Sequence, residues 1–336
     1  MHRRTLVVLL AATAAGCSSQ SGEPTATPTP EQTGTPTAST TDTGPGSPTD
    51  TATETATTTP TDQPGSEGGV DAIVADLNTV YAALEPPLDS LDVSGVDTDA
   101  LTRRLETVRT GIESQRDAGT VDGDRLQTLS DVRWIFDRLV RTFAWFDEAY
   151  GIHDDLDAAY RANEATEETA AQVDRLRTVA GEAGRASAAA VGRYDAVDSF
   201  DPALDVDYAA FEDPLFRVND TAETLTPFAR GLEAAIPGRA RYRRAITTYD
   251  DGSYREAQNT FADLVSTFSD AIDRFERADA ISGPLEAPQG RYLCEADASR
   301  LACVDYRAAC REQLDDNPDR AERRRTQADQ RLSVCS

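Results

Sequence analysis

The chain of 336 residues contains no lysine: all 33 basic side chains are arginine, set against 59 Asp and Glu, for a formal net charge of −26. Histidine is almost missing too, with His153 the only one beyond residue 2. No phosphate-cradling glycine loop, nucleophile-elbow motif or His-rich metal spacing occurs, so the usual equipment of an enzyme is lacking and the residues point to no cofactor. Beyond the first residues, no run approaches the roughly 20 apolar residues that a membrane-spanning helix requires. The shortage of positive charge sets nucleic acid aside as a partner, because phosphate binding draws its affinity from concentrated Lys/Arg contacts.

The acidic surplus belongs to the part of the chain that can fold. Residues 1–69 hold only two of the arginines and seven of the acids, leaving 52 acids against 31 arginines beyond them. Arginine without lysine, together with abundant Asp, Glu, Ala and Thr, resembles the proteome of an extreme halophile. In molar salt the repulsion among surface carboxylates is largely screened, so such a surface is tolerable there.

Residues 1–16 read as a signal peptide: a basic start, the short apolar stretch Leu6-Val7-Val8-Leu9-Leu10, then small residues. Arg3-Arg4-Thr5-Leu6-Val7 resembles a twin-arginine export motif. Ala14-Ala15-Gly16-Cys17 resembles a lipobox, with Ala where Leu is commoner at its first position, which makes Cys17 the expected lipidated first residue. Together these features resemble an exported lipoprotein of a halophilic archaeon. An archaeal-type diether, at about 0.8 kcal/mol per buried methylene, would then hold the protein to the membrane.

Residues 17–69 carry the lipidated cysteine and a linker of Thr, Pro, Ser, Gly and Ala with scattered acids. This composition buries no apolar face and is expected to stay disordered as a stalk, O-glycosylated or bare. Its prolines favour polyproline II at about 3.1 Å per residue, a reach on the order of 150 Å when stretched.

From residue 70 onward apolar residues recur three and four apart with no alternating run long enough for a strand, which predicts an all-α domain over 70–280. Expected helices cover 70–84, stopped by Pro86-Pro87; 97–115; a long one through Leu126, Leu129, Val132, Ile135, Phe136, Leu139, Phe143 and Phe146; the Ala-rich 165–197; 207–235, broken or kinked near Pro214 and Pro227; 239–250; and 253–279. Trp134, Trp145 and Tyr150 widen the face of the long helix as core contacts. The fold expected is a helical bundle or a stack of helical hairpins.

One stretch carries a resemblance. Ala245, Tyr249, Gly252, Tyr254, Ala257 and Phe261 occupy the turn and second-helix positions of a tetratricopeptide repeat, although the preceding Arg239–Arg244 segment lacks the usual Trp and Leu-Gly positions. The match covers about one repeat of roughly 34 residues. It implies a helical hairpin that must pack on its neighbours and, more distantly, binding of another surface protein.

Residues 281–336 form a cysteine-bearing tail, expected to be a helical hairpin stapled by disulfides. Cys294, Cys303, Cys310 and Cys335 are an even set in a chain read as exported, so two disulfides are expected; their spacing and the lack of a nearby histidine do not suit zinc. On a helix over 298–314, Cys303 and Cys310 lie about 10 Å apart and do not pair with each other. Cys294–Cys303 with Cys310–Cys335, or Cys294–Cys310 with Cys303–Cys335, remain, and a turn near Asp316–Pro318 favours the second.

Three further features read as structural or incidental. His153, beside Asp154 and Asp155, is expected on a solvated surface. Asn219-Asp220-Thr221 is an N-glycosylation sequon expected on an exposed helix surface, making Asn219 a candidate acceptor. Arg239, Arg241, Arg243 and Arg244 are expected to pair with Asp250, Asp251 and Glu256, and a second basic cluster spans Arg320 to Arg325. The sequence therefore points to a lipid-anchored surface module that is not an enzyme, with a solute-binding lipoprotein of a transporter and a carboxylate-based surface hydrolase as rivals.

Overall fold

The computed structural model describes residues 66–335. The twin arginines Arg3 and Arg4, Cys17 and most of the Thr/Pro-rich linker lie outside the described residues. The described chain is all-α: α1 (Ser66–Ser90), α2 (Thr98–Ala118), α3 (Gly123–Ala162), α4 (Glu167–Tyr194), α5 (Tyr208–Asp250), α6 (Tyr254–Glu276), α7 (Glu286–Leu314) and α8 (Pro318–Leu332), joined by loops and short turns. No strand occurs among the described residues.

Each helix packs chiefly on the next in the chain, so the domain is a row of antiparallel hairpins. The helix starts are written in short polar side chains. The carboxylates of Asp97, Asp122 and Asp207 accept hydrogen bonds from the backbone N–H groups of Ala100, Asp124 and Ala210 at 2.8, 3.1 and 2.9 Å. Thr166 and Thr169 form a reciprocal capping box at the start of α4. Each cap contributes about 1 kcal/mol by satisfying a donor the helix itself leaves open.

A continuous apolar core runs from Val70 in α1 to Ala328 in α8. The expected stripe of α3 is fully buried within it, and Trp145 and Tyr150 pack against its edge. Small residues let α4 and α5 approach closely: Ala180, Ala183 and Ala190 are buried, and a Cβ on Gly184 would stand 3.8 Å from the backbone oxygen of Ala222.

Proline does not end helices here as its local chemistry predicts. α1 begins ahead of residue 70 and continues through Pro86 and Pro87 to Ser90, which keeps Leu88 on the same buried side as Leu84. Leu91, with φ of 56°, then turns the chain. The open carbonyls at this end are taken up from afar: Tyr150 Oη donates to Leu91 O at 3.1 Å and Arg217 Nη1 to Asp89 O at 2.9 Å. Likewise the expected breaks in α5 are absent, and one element carries Pro214, Pro227 and Pro237 through to Asp250. An interior proline costs about 3 kcal/mol, which the burial of residues on several sides of α5 outweighs.

The tail holds one disulfide, Cys294–Cys335, with Cα atoms 5.9 Å apart, while Cys303 and Cys310 are buried thiols. Both expected pairings are thereby corrected. The reason is the start of α7 at Glu286, about three turns ahead of the expected 298. Cys294 then sits on the helix itself, rotated about 180° from Cys303 and about 160° from Cys310. The two later cysteines face the core, and Cys294 alone faces the end of α8. The hairpin turn at Asp315–Asn317 falls where the sequence places it. Closing the loop between Cys294 and Cys335 stabilises the fold by on the order of 4 kcal/mol in the chain-entropy account.

Gly231 in α5 marks a tight helix approach: a Cβ there would lie 2.4 Å from Cε1 of the fully buried Phe275 ring in α6. Alanine normally favours a helix interior by about 1 kcal/mol over glycine, but overpacking a closed core costs about 1–3 kcal/mol. Gly231→Ala is therefore expected to lower stability by up to about 2 kcal/mol in equilibrium denaturation, with partial recovery in the G231A/F275L double variant.

Candidate functional site

Where α3, α5 and α7 meet, a polar knot is enclosed by aromatic rings. Its centre is Tyr292, fully buried, with Tyr160 edge-on at 4.8 Å, Phe275 stacked at 5.7 Å and Phe228 at 6.0 Å between ring centres. The Tyr292 hydroxyl donates to Asp157 Oδ1 at 2.6 Å and lies 3.1 Å from His153 Nε2. Asp157 also binds Arg291, and Arg161 at 2.7 Å. Beside the knot Arg239 lies 4.2 Å over the Tyr160 ring, pairs with Glu295, and donates from Nε to Asn163 Oδ1 at 3.1 Å.

His153 is thus only 4% exposed, correcting the expectation of a solvated surface histidine. A signal for this was present: His153 stands seven residues after Phe146 and three before Leu156, in step with the buried stripe of α3. Tyr292 gives its one proton to a carboxylate that can only accept, which leaves its oxygen able to accept from His153 Nε2–H, while His153 Nδ1 lies 3.5 Å from Asp154 Oδ1. Burial, reinforced by Arg291, holds the pKa of His153 below its usual value against the opposing pull of Asp157 and Asp154. Burial pushes Asp157 up, but the hydrogen bonds from Tyr292 and Arg291 and the arginine charges outweigh it and leave the carboxyl below its usual value. His153 and Tyr292 are enclosed, and the knot ties α3 to α7.

The tetratricopeptide-like residues form the α5–α6 hairpin. Gly252 adopts φ of 81°, and the N–H groups of Gly252 and Ser253 donate to Tyr249 O at 3.0 Å and Thr248 O at 3.1 Å, closing the end of α5 in a Schellman turn. Tyr254 meets Tyr249 edge-on at 5.3 Å, while Ala245, Ala257 and Phe261 are buried, with Phe261 stacked on Tyr306 of α7 at 4.9 Å. These side chains are engaged in packing within the domain.

The sequon is closed. Asn219 is 8% exposed, accepts from Ser187 Oγ at 3.1 Å and donates to Glu223 Oε1 at 3.1 Å, while Thr221 is fully buried. Asn219 continues the inward face of α5 with Leu215 and Ala222 in place of the exposed surface expected, so the folded domain offers no acceptor there. Only part of each basic cluster pairs within the chain, and the first with other acids than expected: Arg239 with Glu295, Arg241 with Asp263 at 3.8 Å, Arg324 with Asp305 at 3.7 Å and Arg325 with Asp250 at 3.2 Å. Among the described residues no group of three or more His, Cys, Asp and Glu is disposed to hold a metal ion.

A polar cavity of about 220 Å³ adjoins the knot, between Arg239, Tyr242 and Arg243 of α5 and Glu295 and Ser299 of α7, with Cys335 at its edge. Its walls come from segments far apart in the chain, and no local motif announces them. No family model, curated protein or solved structure matches this chain.

The knot generates a pH dependence. Because His153 is held neutral, the unfolded chain takes up the proton first as pH falls below about 6.5. This contribution to stability is complete above that pH and is lost progressively below it, at no more than about 1.4 kcal/mol per pH unit. Thermal or denaturant unfolding of the wild type and His153→Gln between pH 7.5 and 5, at fixed salt, is expected to show the flatter profile in the variant. Equal slopes would mean that His153 titrates as freely in the fold as in the unfolded chain.

Proposed function

We propose that this protein is a lipid-anchored module displayed on the outer face of the membrane of a halophilic archaeon, where its helical domain engages another surface component rather than catalysing a reaction. The observation that carries this reading is the order of parts in one chain. A twin-arginine start and the lipobox Cys17 are followed by a Thr/Pro-rich linker and then by a domain of stacked helical hairpins. Lipidation at Cys17 supplies the attachment, and the linker sets the distance from the bilayer.

The fold supports the reading in two ways. Hairpin arrays expose long helix flanks without disturbing their core, a geometry suited to holding partners. The acidic surface, −26 over the whole chain, suits molar salt, where screening removes most of the repulsion. Among the described residues no helix is long and apolar enough to cross a membrane.

The test is fractionation of cells expressing the full chain, followed by recovery of partners in molar salt. Wild type is expected in the membrane fraction and sensitive to protease added to intact cells. Cys17→Ser is expected in the medium, and the R3K/R4K variant inside the cell. A Cys17→Ser protein that stays with the membrane would contradict the anchor, and a wild-type protein that co-purifies with no surface component would contradict the interaction role.

A further inference from the structure

The cavity between α5 and α7 holds polar groups that the fold itself leaves unused. Ser299 is 4% exposed, lines the cavity, and its hydroxyl makes no hydrogen bond among the described residues. The hydroxyl of Tyr242, also 4% exposed, is buried without a hydrogen-bond partner. A buried polar group without a partner costs about 1–3 kcal/mol, so the Tyr242 hydroxyl is a penalty that packing does not explain, and Ser299 beside it presents an uncommitted hydroxyl to the cavity. Arg243 adds an exposed guanidinium at the rim that forms no ion pair among the described residues, in a domain where most arginines near it are paired.

The charges around the cavity narrow what could fill it. Arg239 and Glu295 neutralise each other, and the pair is locked by the stack on Tyr160 and the hydrogen bond to Asn163. Arg243 is left as the uncompensated charge, making this a locally positive opening on a strongly acidic chain. Ala298, Leu332 and Cys335 give the remaining wall an apolar character. At about 220 Å³ the space is smaller than the ~300–1,000 Å³ of pockets for drug-sized molecules and suits a ligand of a few heavy atoms.

We propose that this cavity binds a short-chain carboxylate, its oxygens shared between the Arg243 guanidinium and the Ser299 hydroxyl and its hydrocarbon end against Ala298 and Leu332. Arginine favours a planar carboxylate because its fork offers two parallel donors, and the Ser299 hydroxyl adds a neutral donor on the cavity wall. The proposal does not depend on the surface-display reading. A site of this kind would add a small-molecule input to a domain otherwise built for contact.

Isothermal titration of the intact chain with sodium butyrate, at ionic strength held constant with potassium chloride, is the test. Saturable binding at one site is expected, weakened about tenfold or more in Arg243→Gln and several-fold in Ser299→Ala. Arg243 is exposed, so its loss leaves the core intact, and circular dichroism of each variant confirms this. Arg244→Gln, one residue on and outside the cavity, is expected to bind as wild type. No saturable binding, binding undiminished in Arg243→Gln, or an equal loss in Arg244→Gln would overturn the assignment. So would binding of sulfate in place of butyrate.

Discussion

Helix α5 runs for 43 residues with three prolines inside it, and it can do so only while it is packed from several sides. Isolated, a segment with that many missing hydrogen bonds and ring clashes would break, since each proline costs about 3 kcal/mol in a helix interior. In the domain α5 lies against α4 and α6 along its length and also touches α1, α3 and α7. Tertiary burial thus supplies what local chemistry withholds. The dependence is mutual, because α5 contributes Phe211 and Phe228 to the aromatic contacts of α1, α3 and α7, and Tyr242 to those of α6 and α7.

The same spine explains where polar chemistry collects. Where α3, α5 and α7 meet, Asp157, Arg291, Arg239 and Glu295 gather with aromatic rings around them. Removing one partner from such a knot would leave its neighbour buried and unpaired, so it specifies how α3, α5 and α7 meet as well as stabilising them. The adjoining cavity differs in kind, since the Tyr242 hydroxyl on its wall is buried without a partner.

The helical class was legible from the three- and four-residue spacing of Leu126 through Phe146, because that spacing reports directly which face is buried. The hairpin turn at Gly252 was legible for a similar reason, its positive φ being a local demand. What could not be read depended on distant segments. Pro86 and Pro214 look like stops unless the packing that outweighs them is known. Cys294 could not be matched to Cys335 without the true start of α7, which sets its rotation relative to Cys303. The sequon at Asn219 reads as open because its tripeptide carries no information about the inward face that Leu215 and Ala222 define. His153 was a nearer miss, lying in step with Phe146 and Leu156. Asp157 lies one turn on in the same helix, but the histidine's partner Tyr292 comes from α7, 139 residues away in the chain, with no shared motif.

If α5 is the spine on which the array depends, its amides must exchange only when the whole domain opens. Hydrogen–deuterium exchange followed by mass spectrometry of peptides spanning Pro214 to Pro237 measures this directly. The account predicts protection in that span as slow as in the core of α3, with both lost together as denaturant is added. Fast exchange near Pro227 or Pro237 while α3 remains protected would contradict it, and would mean that α5 is two helices hinged at proline.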